Sequence, residues 1–286
     1  MKRAGMTMTM TMKTMKTMKR TLLLLAVAGV TLNLAGCKST AAPADPVLHL
    51  SAEESLKAGK EQLAKNKYDK ARPYFTHAFE VEPNSTIGRE ALLLAADTYY
   101  LQGNNANYIQ AEAKYRDFLN RFPTSQQSAY VQFQIANSLA KRMEKPDRDQ
   151  NVTRKALDAY QDLVRLYPTS EYAPQAQSQM EVVLDNLAEH EFAIGYFYSR
   201  FNVPLAAVER YEYLLLTYPK YKQRDKAMYN LGLAYKAGHE PDNAVKTFAL
   251  LRDQFPQSPY VKLIPEVKPD PLARKAPEPA AAKPST

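Results

Sequence analysis

The sequence predicts an all-α fold, a right-handed α-solenoid of about five helix pairs. Three observations carry that expectation. An amphipathic segment closes on a proline five times, at Pro83, Pro123, Pro168, Pro219 and Pro256. Twelve residues before each proline stands an alanine: Ala71, Ala111, Ala156, Ala207 and Ala244. Eight residues before each stands an aromatic: Phe75, Tyr115, Tyr160, Tyr211 and Phe248. Sustained period-two alternation, the mark of half-buried strands, is absent.

The prolines are 40, 45, 51 and 37 residues apart. Those are tetratricopeptide (TPR)-type periods with insertions, the consensus unit being about 34 residues. A glycine lies twenty-four residues before the proline in three units, at Gly59, Gly195 and Gly232. Small residues let the first helix of a pair press on the second, and the aromatic fills the space between neighbours.

In chain order, units are expected at 51–83, 84–123, 124–168, 169–219 and 220–256. Ser51 suits the N-cap of the first helix, with Glu53 and Glu54 at the favourable end of its dipole. In the second unit GNNANY, 103–108, is expected to lengthen the turn. In the third, MEKPDRDQNV, 143–152, reads as a charged loop between helices. In the fourth, 175–199 reads as one long amphipathic helix that projects from the solenoid wall or braces its two halves. A turn at Asn202 follows, with Pro204 in the first turn of the next helix, where its missing N–H costs nothing.

The ends are different in kind. Residues 1–37 hold six basic residues and no acid, so six of the eight surplus positive charges sit there and the rest carries +2. That remainder offers no electrostatic case for nucleic acid. Basic residues up to Arg20 precede an apolar run, 22–34, too short to span a bilayer, which reads as a secretion signal over residues 1–36. Met18 is an alternative start to Met1. Leu34-Ala35-Gly36-Cys37 resembles the bacterial lipobox, which implies a diacylglycerol and an N-acyl lipid on Cys37, the single cysteine. More than one acyl chain anchors a protein stably without a spanning helix. By the same resemblance, Lys38 rather than an acid after the cysteine favours the outer membrane. Residues 37–50 read as a tether and 261–286, rich in proline, as a disordered tail.

No enzyme is expected. The histidines, His49, His77, His190 and His239, lack metal-ligand spacing, and Ile194 stands where a zinc-protease helix beginning His190-Glu191 would need its second histidine. No phosphate loop and no G-x-S-x-G elbow occur. Most of the nineteen tyrosines fall on repeat positions and read as core. Tyr99, Tyr100, Tyr108, Tyr196 and Tyr198 are open to a second reading, as liners of a peptide groove. Arg148 and Asp149 read as solvated loop charge or as a contact, and Arg210 as a solvated face or an interface anchor.

The lipobox, the five units, the Asp147-Arg148-Asp149 loop and LAEHEFAIGYFYSRFNVPLAAVERYEYLLLTYP together resemble the BamD-type, or YfiO-type, family of TPR lipoproteins. Those serve the outer-membrane β-barrel assembly (Bam) machine. The likeness covers about 51–260 and is most specific from Asp147 to Pro219. It implies a scaffold on the periplasmic face of the outer membrane, with no cofactor beyond the lipid on Cys37. Its implied partners are a BamA-like barrel-assembly protein, further Bam lipoproteins and unfolded β-barrel substrates. Arg210 matches the arginine of the family's RxExxL helix, and Arg148 and Asp149 its loop. Another envelope TPR lipoprotein, a pilotin or a Tol-Pal-associated factor, is the alternative; it would not require the loop or the long helix.

Overall fold

A computed structural model of the chain describes residues 46–269. The lipobox residues Leu34, Ala35, Gly36 and Cys37, the signal segment and the tail from 270 lie outside the described residues. The chain divides into two compact units, 1–49 and 50–286. In the first, the described part is a 3-10 turn, Pro46–His49.

The second unit is an α-solenoid of ten α-helices, and no strand occurs among the described residues. The helices are α1 Ala52–Ala64, α2 Tyr68–Val81, α3 Thr86–Gln102, α4 Asn105–Arg121 and α5 Ser128–Ala140. Then follow α6 Asn151–Leu166, α7 Tyr172–Arg200, α8 Pro204–Thr217, α9 Arg224–Ala237 and α10 Pro241–Gln254. Each helix packs on the next in the chain, and α1 on α3, α5 on α7 and α7 on α9. At the start, Ser51 and Glu54 form a reciprocal capping box.

The five closing prolines act through one backbone device. The residue before each, Glu82, Phe122, Tyr167, Tyr218 and Phe255, has left the α region, with φ between −135° and −120°. That is the steric effect of a following proline. Two residues after the proline in all five junctions, a backbone N–H reaches back to this same residue's carbonyl and closes the turn: Ser85, Ser125, Ser170, Tyr221 and Ser258.

The phase alanines and their aromatics are buried throughout. Ala71, Ala111, Ala156, Ala207 and Ala244 are wholly inaccessible, as are Phe75, Tyr115, Tyr160 and Tyr211. The glycines explain themselves by contact. A Cβ placed on Gly59, Gly195 or Gly232 would lie 2.5, 2.6 or 2.4 Å from the ring of Phe75, Tyr211 or Phe248 respectively. Alanine there overpacks the helix pair.

Two expectations are corrected. The GNNANY insertion does not lengthen the turn. Gly103 and Asn104 both take positive φ, 76° and 65°, and Asn104 caps α4 by accepting from the Asn107 N–H. The extra residues therefore extend the helices: α3 and α4 run 17 residues each, against 13 and 14 in the first pair. The tail was expected from 261. Instead Pro259–Leu263 is a 3-10 turn, and Ile264 and Val267 pack beyond it on the last hydrophobic cluster. An open solenoid end exposes apolar surface, and this extended segment covers part of it.

The long fourth-unit helix braces and does not project. Ala173, Ala176, Val183 and Leu187 of α7 belong to the core built on α3–α6, while Ala188 and Phe192 belong to the core of α8–α10. One continuous helix of 29 residues thus enters both cores. Tyr218 packs against both as well.

Candidate partner-docking site

The middle of α7, where one core gives way to the other, gathers contacts from both sides. From the α5–α6 connection, 141–150, His190 Nδ1 donates to the Pro146 carbonyl and Asn186 Nδ2 to the Glu144 carbonyl at 3.4 Å. Buried Gln150 stiffens the same loop by donating to the carbonyls of Lys145 and Arg148, at 2.9 and 3.0 Å, and accepting from the Thr153 hydroxyl. From α8 comes Arg210, whose Nη1 lies 3.2 Å from Glu191 Oε2. From the α8–α9 connection, the Lys222 N–H donates to Asp185 at 3.0 Å, and Tyr221 and Gln223 both donate to Glu189. Asn186, Glu189, His190 and Glu191 therefore hold three separate segments within about one and a half helical turns.

The electrostatics follow from burial. Glu191 is 8% exposed, and Arg210, which is 44% exposed, supplies the counter-charge beside it. Burial first, then the neighbouring Tyr213 and Glu191, raise the Tyr218 phenol above its ordinary value, while Arg154 pulls it down. Beside this junction lies a cavity of about 370 Å³ lined by Leu184, Asp185, Tyr218, Pro219, Lys220 and Tyr221, among others.

The three residues singled out for partner contact fare differently. Arg210 and the loop carrying Arg148 and Asp149 are brought to adjoining positions of α7, 190 and 191, although Arg148 and Arg210 are 62 residues apart in the chain. Asp149 is spent locally, accepting from the Asn151 N–H at 2.8 Å and its side-chain amide at 3.0 Å. Arg148 is exposed, and its side chain makes no hydrogen bond or ion pair among the described residues. Arg210 is neither a merely solvated charge nor an unengaged anchor, because it already neutralises an internal acid. Glu191 entered the sequence reading only in the rejected zinc-protease start His190-Glu191, and not as a partner for Arg210. The available signal was an acid following LAEH in a helix whose partner helix carries arginine.

A second concavity lies between α3, α5 and the start of α7, a cleft of about 780 Å³. Arg89, Asp97, Phe118, Gln127, Tyr130 and Tyr172 are among its walls. Asp97 accepts from the hydroxyls of Tyr115 and Tyr130 at 2.6 and 2.9 Å. Its carboxyl is held above the ordinary value, because burial outweighs those two hydrogen bonds. The cleft's aromatic lining is Phe118, Tyr130 and Tyr172, the two tyrosines 5.7 Å apart, and not the five tyrosines considered from sequence. Tyr99 and Tyr100 pack on the core, Tyr108 lies against Tyr100, and Tyr198 packs on the α8–α10 cluster. Tyr196, about half exposed, stacks on Phe192. Asp97 was visible as a single acid amid LLLAADTYY, an otherwise apolar and aromatic run.

Among the described residues no cluster of three metal-ligating side chains occurs, and no helix is long and apolar enough to cross a membrane.

Comparison with known proteins now bears on this geometry. The chain is 29% identical over 243 residues to the outer membrane protein assembly factor BamD of Rickettsia prowazekii, covering 85% of this chain and 95% of that one. It is 28% identical to the protein of the same name from Caulobacter vibrioides, covering 81% and 75%, and 25% identical to that of Neisseria gonorrhoeae, covering 74% and 82%. A solved TPR protein of Thermus thermophilus aligns at 18% identity with a TM-score of 0.32, over 74% of this chain and 95% of that one. The family model YfiO, described as outer membrane lipoprotein, matches residues 49–247, a span that takes in α1–α9 and the whole contact centre on α7. The chain belongs to the YfiO family of outer membrane lipoproteins.

Proposed function

We propose that this chain is a β-barrel assembly scaffold: a lipoprotein, anchored through acyl chains on Cys37 to the periplasmic face of the outer membrane, that acts in the Bam complex. The observation that carries the reading is the family match over 49–247, together with relatives named as outer membrane protein assembly factors along most of their length. The geometry suits a scaffold. A single 29-residue helix stiffens the solenoid, and its middle displays the charged loop and Arg210 side by side. That surface is the place for a BamA-like partner, with Arg148 as the uncommitted cation and Arg210 able to exchange part of its pairing with Glu191 for a partner carboxylate. The cleft beside Tyr130 and Tyr172 supplies aromatic faces and hydrogen-bonding groups for an extended, unfolded barrel substrate. No catalytic role is assigned to any residue.

Affinity purification of the full-length tagged lipoprotein from detergent-solubilised envelopes tests this. A BamA-like barrel protein should co-purify, and less of it with Arg148→Glu. Recovery of pilus or Tol-Pal components without any barrel-assembly protein would overturn the reading.

A further inference from the structure

The cleft between α3, α5 and the start of α7 has an acid in its wall whose two oxygens are treated differently. Asp97 Oδ1 accepts from the hydroxyls of Tyr115 and Tyr130, at 2.6 and 2.9 Å. Tyr130 in turn accepts from Gln134 Nε2 at 2.9 Å, so its own proton is committed to Asp97. Phenols from two helices, α4 and α5, thus fix the carboxylate carried by α3. Oδ2 takes part in none of this. Among the described residues it accepts no hydrogen bond, and it is not one of the polar atoms sealed in the interior. A carboxylate oxygen can accept two hydrogen bonds, and here the fold supplies no donor to one of the pair.

Nor does the fold supply a counter-charge. No ion pair involves Asp97 among the described residues. Arg89, the cation in the cleft wall, has its guanidinium over the Phe122 ring, 5.9 Å from the centroid. It stands two turns before Asp97 on α3, about 12 Å of helix rise away. Glu90, also in the wall, is paired with Lys60 at 2.7 Å. Burial holds the Asp97 carboxyl above its ordinary value, as expected for an acid with no positive charge beside it.

The surface next to this acid is aromatic. Tyr172 meets Tyr130 edge to face, centroids 5.7 Å apart, and stacks on Phe133 at 5.4 Å. Aromatic rings beside an open carboxylate favour a cation twice over, through the acid's charge and through the negative faces of the rings. A neutral donor gains the hydrogen bond alone, and an anion meets like charge. With about 780 Å³, the cleft accommodates a long side chain and the short stretch of backbone that carries it.

We propose that this cleft contains a recognition subsite for one cationic group, an ammonium or guanidinium presented by an extended peptide, with Asp97 Oδ2 as its acceptor and Tyr130 and Tyr172 as its aromatic wall. The inference rests on the reading of the cleft as a seat for unfolded chains and narrows it to chains that place a lysine, an arginine or a free terminal amine there.

Calorimetric titration of the full-length protein in detergent with short alanine-serine peptides tests this. Four peptides with blocked ends carry Lys, Arg, Gln or Glu at the centre, and a fifth carries the central Gln with a free amino terminus. The Lys and Arg peptides should bind roughly tenfold more tightly than the blocked Gln peptide, and the Glu peptide most weakly. Asp97→Asn, which still accepts from both phenols, should bring the Lys and Arg peptides to the level of Gln. Tyr172→Leu, outside the hydrogen bonds to Asp97, should weaken the cationic peptides more than the neutral one. A gain confined to the free-amine peptide and lost in Asp97→Asn supports the subsite with the chain terminus as its occupant. Equal binding of all five peptides would overturn the subsite and leave the peptide-seat reading standing. A cation preference that survives Asp97→Asn would overturn it too, and an absence of any binding would overturn both readings.

Discussion

Arg210 of α8 reaches across the helix pair to Glu191 of α7, Nη1 to Oε2 at 3.2 Å, and so places the compensating charge for an acid that is only 8% exposed. Removing one partner of such a pair leaves the other charge poorly solvated. Because Arg210 is itself 44% exposed, the cost of Arg210→Ala is discounted to about 1–2 kcal/mol of folding stability. Adding Glu191→Gln should recover much of that loss. Urea unfolding of the two single variants and the double variant measures it as a coupling energy. Strict additivity would contradict the pairing. The same cycle separates architecture from docking: partner binding that returns in the double variant was lost through α7 and not through a missing contact.

The approach of α7 to α8 depends on Gly195. A Cβ there lies 2.6 Å from Cε1 and 2.9 Å from Cδ1 of the Tyr211 ring, which is fully buried and has little room to retreat. Gly195→Ala should destabilise the protein by about 1–3 kcal/mol, seen as a lowered Tm. Tyr211→Leu in the same chain should make the added methyl cheaper. Gly88→Ala should be worse than Gly195→Ala, because its obstacle is the main-chain carbonyl of Glu82 at 1.9 Å.

Asp97 gives the cleft a pH signature. Its carboxyl is raised by burial in the folded protein, so between the unfolded and folded values the native state holds more protons than the unfolded state. The slope of stability with pH is therefore negative in that window: this group's contribution is greatest at acid pH and falls as pH rises through its folded value. Asn at 97 can still accept from Tyr115 and Tyr130 without a charge to desolvate. Asp97→Asn should remove this component, so that the difference in unfolding free energy between the two proteins changes as pH rises above the ordinary carboxylate range, in favour of the variant. A difference that stays flat would contradict the assignment.

The charged loop is held by main-chain acceptors, which makes its anchor easy to cut. His190→Ala removes the donor to Pro146 while leaving the Gln150 bonds in place. Trypsin cleavage after Arg148 should then become several-fold faster, with the remaining sites unaffected. Unchanged cleavage would mean that the Gln150 and Asn186 bonds suffice to hold the loop.

The repeat phase was legible because it is local: alanine, aromatic and proline at fixed offsets lie within one helix and its end. Ala207, Tyr211 and Pro219 needed no tertiary knowledge to be placed. The length of α7 was legible for the same reason, although its role as a brace required seeing Leu187 and Ala188 enter different cores. What could not be read is what depends on how helices cross. Arg210 and Glu191 are 19 residues apart on helices whose relative rotation no offset encodes. The tyrosines illustrate the same limit: all of Tyr99, Tyr100, Tyr130 and Tyr172 pack on the core, yet only Tyr130 and Tyr172 of these four also line the cleft, a choice made by neighbouring helices. The packed segment after the last helix was hidden by composition. Proline argues against helix but not against an extended segment, and Ile264 and Val267 use that form.

Depletion of the protein in its own bacterium, followed by measurement of folded outer-membrane porins by heat-modifiable mobility, tests the central claim most directly. A barrel-assembly scaffold predicts a fall in folded porin with accumulation of the unfolded form in the periplasm, restored by the intact chain. Porin levels and folding that stay unchanged through depletion would contradict it.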